Sequence, residues 1–155
     1  MRVHIGGDHA AYELQRDLVA WVAEQGHEVV DHGPVAFDAQ DDYPVFVLRA
    51  AEAVAGEPGS RGVVLGGSGN GEQMAANKVA GIRAALCYST ELAVLARQHN
   101  DAQVISVGAR MQTLEEARAM VRAFLDTDFS GEERHQRRID MMSAYESDRT
   151  LPALP

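Results

Sequence analysis

Five short apolar runs, each followed by a stretch with helical spacing, constrain what this chain can fold into more than any other feature. The runs are Val3-His4-Ile5, HEVVDHG at 27–33, RGVVLGG at 61–67, IRAALCY at 82–88 and AQVISVGA at 102–109. After the first, Leu14, Leu18 and Val22 recur every four residues, and Gly26 is placed to stop a helix. YPVFVLRAAEAVAG at 43–56 reads as a helix with Pro44 near its start and Gly56 at its end. GEQMAANKV at 71–79 reads as a short helix, and another runs from Ser89 or Thr90 to about His99. Thr113 with Glu116 makes a capping-box pattern opening LEEARAMVRAFL, and Ser130 with Glu133 repeats it before a final helix ending at Glu146. Parallel strands need crossover connections, so strands alternating with helices imply a parallel sheet covered on both faces. The expected fold is therefore a Rossmann-like α/β sandwich of three layers. Its five-stranded parallel sheet has the order 2-1-3-4-5, and an extra helix follows at the C-terminus. A single domain is expected over residues 1–146, with 147–155 as a disordered tail.

Composition narrows the function classes. A chain of 155 residues with 46% hydrophobic content suits one globular domain with a sizeable core. Its formal net charge of −9 argues against nucleic acid as a partner, because phosphate backbones need a basic footprint. No apolar run approaches the roughly 20 residues of a membrane span, and the N-terminus leads directly into a strand with no signal-peptide pattern. The one cysteine, Cys87, has no internal partner, which fits a reducing cytoplasm.

The residues with chemical character gather at strand ends. Strand 1 ends in Gly6-Gly7-Asp8-His9 and strand 3 in Gly66-Gly67-Ser68-Gly69-Asn70-Gly71-Glu72. In an open parallel sheet these ends flank the switch point where ligands bind. The glycine loop lacks the Lys-Ser/Thr ending of a nucleotide P-loop and is not the G-x-G-x-x-G of a first strand. It reads as an oxyanion or phosphate cradle, the alternative being a turn that needs glycine only for its backbone geometry. A carboxylate, Glu72, closing such a loop is unexpected for a pure anion binder. Asp8 suits a helix N-cap. His4, His27 and His32 read as ordinary strand or loop residues, no His/Cys/Asp/Glu group has metal-ligand spacing, and Cys87 reads as a buried, inert thiol. His99 and Asn100 sit where a helix C-terminus favours both residue types. Arg134 and Arg138, four apart, share a helix face that suits a phosphate or a solvated ion-paired surface. Arg110 lies just past strand 5.

GGDHAAYELQ, DDYP, GGSGNGEQMAANK, RQHNDAQVISVGAR and ERHQRRI, in this order and spacing, resemble the type B ribose-5-phosphate isomerase family, which includes the galactose-6-phosphate isomerase subunits. The likeness covers nearly the whole chain up to Glu146. It implies a Rossmann-like dimer or tetramer, without metal or cofactor, that interconverts aldose and ketose sugar phosphates in carbohydrate metabolism, in the pentose phosphate pathway. One branch of the family has a cysteine base at the start of the glycine loop; that position is Gly66 here. The chain instead resembles the actinobacterial branch, with Glu72 as base. The resemblance makes His99 the ring-opening acid/base and has Arg110, Arg134 and Arg138 hold the phosphate. Asp8, His9 and Asn100 contact the sugar.

The chemistry answers why a carboxylate ends the loop. Aldose–ketose isomerisation through a cis-enediolate needs a base beside the carbon and donors around the developing oxyanion. Glu72 can be the base, with Gly67, Ser68, Gly69, Asn70 and Gly71 as donors. A helix N-terminus should lower the carboxylate pKa, while burial should raise it. The expected substrates are ribose 5-phosphate and ribulose 5-phosphate; a tetrulose phosphate, a six-carbon sugar phosphate, or a non-catalytic phosphate- or nucleotide-binding role are the alternatives. His99 and Asn100 follow a helix and precede strand 5, so they belong at the opposite end of the sheet from Glu72. A two-fold homodimer with shared active sites resolves that separation.

Overall fold

The computed structural model describes residues 1–154. Strands β1 (Arg2–Gly7), β2 (Glu28–Asp31), β3 (Arg61–Gly66), β4 (Ala84–Leu86) and β5 (Val104–Gly108) form one five-stranded sheet, parallel at every pairing. The helices are α1 (Tyr12–Glu24), α2 (Tyr43–Gly56), α3 (Asn70–Ala76), α4 (Thr90–Asn100), α5 (Leu114–Asp126) and α6 (Glu133–Asp148). Alternating side chains of the central strands supply both faces of the core. Val63, Leu65, Ile105 and Val107 meet Leu18 of α1, Ala93 of α4 and Phe124 of α5. Val64 and Val104 meet Val47 and Ala51 of α2 and Ala76 of α3. The result is the expected three-layer α/β sandwich.

The strand order corrects the expectation. It is β2-β1-β3-β5-β4, not 2-1-3-4-5. All five residues of β5 are buried, as a strand with neighbours on both sides requires, whereas β4 has three residues and buries only Ala84. The longer apolar segment takes the interior and the short one the edge. The exchange sets the C-terminal end of β5 beside that of β3, so Ala109 N–H donates to Gly66 O at 2.8 Å and Arg110 N–H to Gly67 O at 3.0 Å.

Local signals explain most boundaries. Gly26, with φ +87°, follows α1, and α2 spans the residues that its Pro44 and Gly56 delimit. Ser89 caps α4 by accepting Leu92 N–H. Thr113 and Glu116 form the expected reciprocal box at α5. The matching pattern at Ser130 and Glu133 does not. Gly131, at φ +68°, turns the chain first, and the Ser130 hydroxyl accepts Glu132 N–H at 3.3 Å, so Glu132 becomes the residue preceding α6. Beyond the other end of α5, Arg61 donates to Phe124 O at 3.2 Å and Arg97 to Thr127 O at 3.2 Å, satisfying carbonyls at and just past that helix terminus. Burial, then the nearby Arg97 charge, pushes Arg61 down to about 10. Helix α6 lies against α4 and buries only His135 and Ile139. Of segment 147–155, Ser147 and Asp148 still belong to α6, and Pro155 lies outside the described residues. Among the described residues no helix is long and apolar enough to cross a membrane.

The two capping patterns separate experimentally. Thr113→Ala removes a formed box and costs about 1 kcal/mol, whereas Ser130→Ala changes stability by less than about 0.5 kcal/mol. Denaturant midpoints of the two variants measure the contrast.

Candidate active site

The C-terminal ends of β1, β3 and β5 build one site. Asp8 leaves β1 with its N–H on Leu65 O at 3.3 Å, and its carboxylate accepts Ala10 N–H at 3.0 Å, capping the short 3-10 turn His9–Ala11. After β3 the glycine loop turns at Gly69, whose φ of +82° begins α3. Ser106 of β5 holds that turn by donating to Gly69 O at 2.7 Å. A β-carbon at Gly108 would come within 2.6 Å of the Ser68 backbone, so the loop packs directly on β5. Glu72, in the first turn of α3, folds back into the sheet and is 4% exposed. Its carboxylate fills the side-chain space of residue 66: a β-carbon there would lie 1.9 Å from Glu72 Oε1.

Asp8, His9, Ala10, Tyr43, Gly67, Ser68, Gly71, Glu72, Arg110 and Met111 line a cavity of about 390 Å³. Seven of the residues singled out from the sequence meet here: Asp8, His9, Gly67, Ser68, Gly71, Glu72 and Arg110. Among the described residues, the N–H groups of Gly67 and Ser68 make no hydrogen bond within the chain. Asn70 N–H is not free, because it donates to Ser68 Oγ at 3.3 Å. Asn70 is exposed and Gly69 buried; both support the loop without lining the cavity.

The electrostatics settle the opposing influences on Glu72. Burial raises its pKa, and the Asp8 charge raises it further; the backbone N–H groups of Glu72 and Gly69 pull it down without reversing the direction. Asp8 is also raised, first by burial, with Ala10 N–H and His9 opposing. His9 is raised chiefly by its hydrogen bond to Asp41. Cys87 is buried beyond β4 and pushed up to about 12, the inert thiol expected.

His99, Asn100, Arg134 and Arg138 do not join this cavity. They cluster at the other end of the strands, where Asn100 O accepts Arg83 Nε–H at 2.7 Å just before β4 begins. The His99 and His135 rings stack there at 4.2 Å between centroids, 13° from parallel. Arg134 and Arg138 project from α6 into solvent beside them, Arg134 paired with Glu132 at 3.0 Å. His135 is buried, and burial with the neighbouring His99 charge lowers its pKa.

Sequence reasoning passed over Tyr43, Met111 and Asp41, and saw His135 only as one member of the basic stretch ERHQRRI. Tyr43 abuts Gly71, where a β-carbon would lie 2.7 Å from the phenol ring. No periodicity points to it; only its place in DDYP did. One ligand atom each from Asp8, His9 and Asp41 lie within 4.8 Å of one another, the one such trio among the described residues. Hydrogen bonds already account for the grouping, since His9 Nδ1 meets Asp41 Oδ1 at 2.7 Å and Asp8 receives Ala10 N–H.

A family model for ribose/galactose isomerases matches residues 3–142. The chain belongs to that family. It is 52% identical over its full length to ribose-5-phosphate isomerase B of Mycobacterium tuberculosis, covering 96% of that protein. It is 39% identical to the Escherichia coli ribose-5-phosphate isomerase B, over 96% of this chain and 98% of the relative. Ribose-5-phosphate isomerase B from Mycoplasma genitalium, crystallised with bound ribulose 5-phosphate, superposes with a TM-score of 0.91 at 39% identity, over 95% of this chain and 97% of that one. The family match spans both clusters, from Asp8 to Arg138, which are far apart within one chain.

A raised carboxylate pKa has a defined linkage sign. Between its ordinary value of 4.5 and the raised value, the folded chain holds a proton at Glu72 that the unfolded chain has lost. Stability therefore falls as pH rises through that window, and above it the buried charge is a standing cost. Glu72→Gln is expected to stabilise the protein by about 0.5–2 kcal/mol at pH 8, with the gain shrinking toward pH 4. Thermal melts across that range measure it, and a destabilised variant at pH 8 would refute the burial argument.

Proposed function

We propose that this chain interconverts ribose 5-phosphate and ribulose 5-phosphate by proton transfer through a cis-enediolate, with Glu72 as the base. The observation that carries this reading is the buried Glu72 carboxylate, raised in pKa, on the wall of a cavity that the free Gly67 and Ser68 N–H groups also line. A base works best when its pKa lies near the working pH, and burial moves Glu72 that way. Glu72 takes the proton from the carbon beside the carbonyl, the hydroxyl proton on that carbon passes to the former carbonyl oxygen, and Glu72 returns its proton to the adjacent carbon. Between these steps the carbonyl oxygen carries negative charge, which the two N–H groups and the Ser68 hydroxyl receive. Asp8 holds the sugar hydroxyls, His9 reaches an oxygen of the sugar phosphate, and the Arg110 guanidinium, against the cavity wall at Gly67, faces the phosphate. The ribulose 5-phosphate bound by the Mycoplasma genitalium relative supports this substrate class.

The rest of the machinery comes from a second copy. His99 as ring-opening acid/base, Asn100 on the sugar, and Arg134 and Arg138 on the phosphate all sit at the wrong end of their own sheet for Glu72. A two-fold homodimer lays this end of one chain over the cavity of the other. Exposed apolar side chains on α3, α4 and α6, among them Met74, Leu92, Met141, Met142 and Tyr145, support such packing. The catalytic unit is the single domain 1–146. The one cysteine, free and buried, supports a cytoplasmic location.

Glu72→Gln preserves shape but cannot accept the carbon-bound proton. Its kcat is expected to fall roughly 10²–10⁴-fold with KM largely retained, and solvent deuterium should no longer enter the sugar. Near-normal turnover would move the base elsewhere.

Mixing inactive Glu72→Gln and His99→Asn chains tests the shared site. Each hybrid dimer holds one intact and one doubly damaged site, so recovery of up to about a quarter of full activity is expected from random pairing. No recovery despite demonstrated chain exchange would place both residues in one chain's site.

A further inference from the structure

The segment between β2 and α2 is tied down at both ends and brings one carboxylate back onto the site. Gln15 of α1, fully buried, donates to Asp31 at 2.7 Å and to Gly33 O at 2.6 Å, fixing the start of the segment. A tight turn fixes its end, with Gln40 N–H on the Asp38 carboxylate at 2.9 Å and Asp41 N–H on Asp38 O at 3.1 Å. Asp41 is thereby set against His9, and its Oδ1 meets both His9 Nδ1 at 2.7 Å and His9 N–H at 3.0 Å. Phe37 from the same segment closes on the imidazole edge-on at 6.4 Å. The Asp41 side chain is 10% exposed, and its Oδ2 is buried without a hydrogen-bond partner.

This leaves Nε2 as the working atom of His9. Among the described residues it makes no hydrogen bond, and His9 lines the cavity. With Nδ1–H held by a carboxylate, neutral His9 presents a lone pair at Nε2 and only the imidazolium presents N–H. A sugar phosphate offers anionic oxygens, which need the donor.

We propose that Asp41 is a positioning residue of the isomerase: through His9 Nδ1 it keeps Nε2–H donating into the cavity toward an anionic oxygen of the sugar phosphate. The proposal rests on the sugar-phosphate reading of the cavity. Its consequence is a pH limit on substrate affinity. His9 is raised above its ordinary value, first by the Asp41 hydrogen bond and then, against desolvation, by the Asp8 charge. The imidazolium therefore persists to higher pH, and KM rises once pH passes the raised value. The other ionisable groups around His9 are Asp8 from the end of β1, Glu72 from α3, Arg110 after β5, Tyr43 of α2, and Tyr12 beyond Phe37. Asp41→Asn leaves their charges in place. Asparagine can still accept both His9 N–H groups, so the substitution removes charge while preserving the anchor.

The test is NMR titration of the His9 imidazole in the free protein, with kcat and KM for ribose 5-phosphate from pH 6 to 9. In Asp41→Asn the His9 titration should move to lower pH. At pH 8 KM should rise on the order of ten-fold, with a smaller change at pH 6 and a smaller loss in kcat than in kcat/KM. Adding Asp41→Asn to His9→Asn should produce no further change in KM. An unmoved His9 titration would overturn the proposal, as would a KM effect equal at both pH values or a full added effect in the His9→Asn background. If the unaltered chain fails to isomerise the sugar phosphate, the functional reading falls, and the titration still decides whether Asp41 controls His9.

Discussion

Two backbone hydrogen bonds, Ala109 N–H to Gly66 O and Arg110 N–H to Gly67 O, sew the chain leaving β5 to the glycine loop leaving β3. The remainder of the site depends on this seam. It lays Gly108 flat against Ser68, brings Arg110 over Gly67, and lets Ser106 hold the carbonyl of Gly69, where the chain turns into α3. That turn in turn aims Glu72 back under the loop. A strand with a larger residue at 108, or a different neighbour for β3, would dismantle the arrangement at several points together, because each contact is set by backbone position more than by flexible side chains.

Much of this was legible in the sequence. The β–α alternation gave the layers, and α2, the Thr113 box and the end of α1 at Gly26 follow from local chemistry that acts within a few residues. Asp8 and the glycine loop could be paired because a parallel sheet collects its strand C-termini at one end. The order of the last two strands was not legible, because both runs are apolar, and what separates them is burial on both edges, a property of the assembled sheet. The Ser130 pattern misled for a related reason: a capping box needs the residues between to be helical, and Gly131 adopts a left-handed conformation instead. Tyr43 and Asp41 reach the site through the path of a loop, which leaves no periodic trace. His135 was visible only as one member of a basic cluster, and its stacking on His99 is a tertiary contact.

The chain also has a chemical polarity. The end of the sheet with Asp8, Glu72 and the free N–H groups can take up a carbon-bound proton and receive an oxyanion. The opposite end holds paired imidazoles and arginines, suited to protons on oxygen and to phosphate. The two ends offer complementary chemistry, which the proposed pairing of two chains would bring together.

The Glu72 carboxylate sits where a side chain at residue 66 would have to be. The two positions therefore share one volume. The colliding atoms are the far end of a flexible side chain, so a side chain at 66 would displace the Glu72 carboxylate from its buried place rather than break the strand. The absence of a side chain at 66 thus sets where the carboxylate rests, and residue 66 governs the burial of Glu72 without touching the sequence of α3.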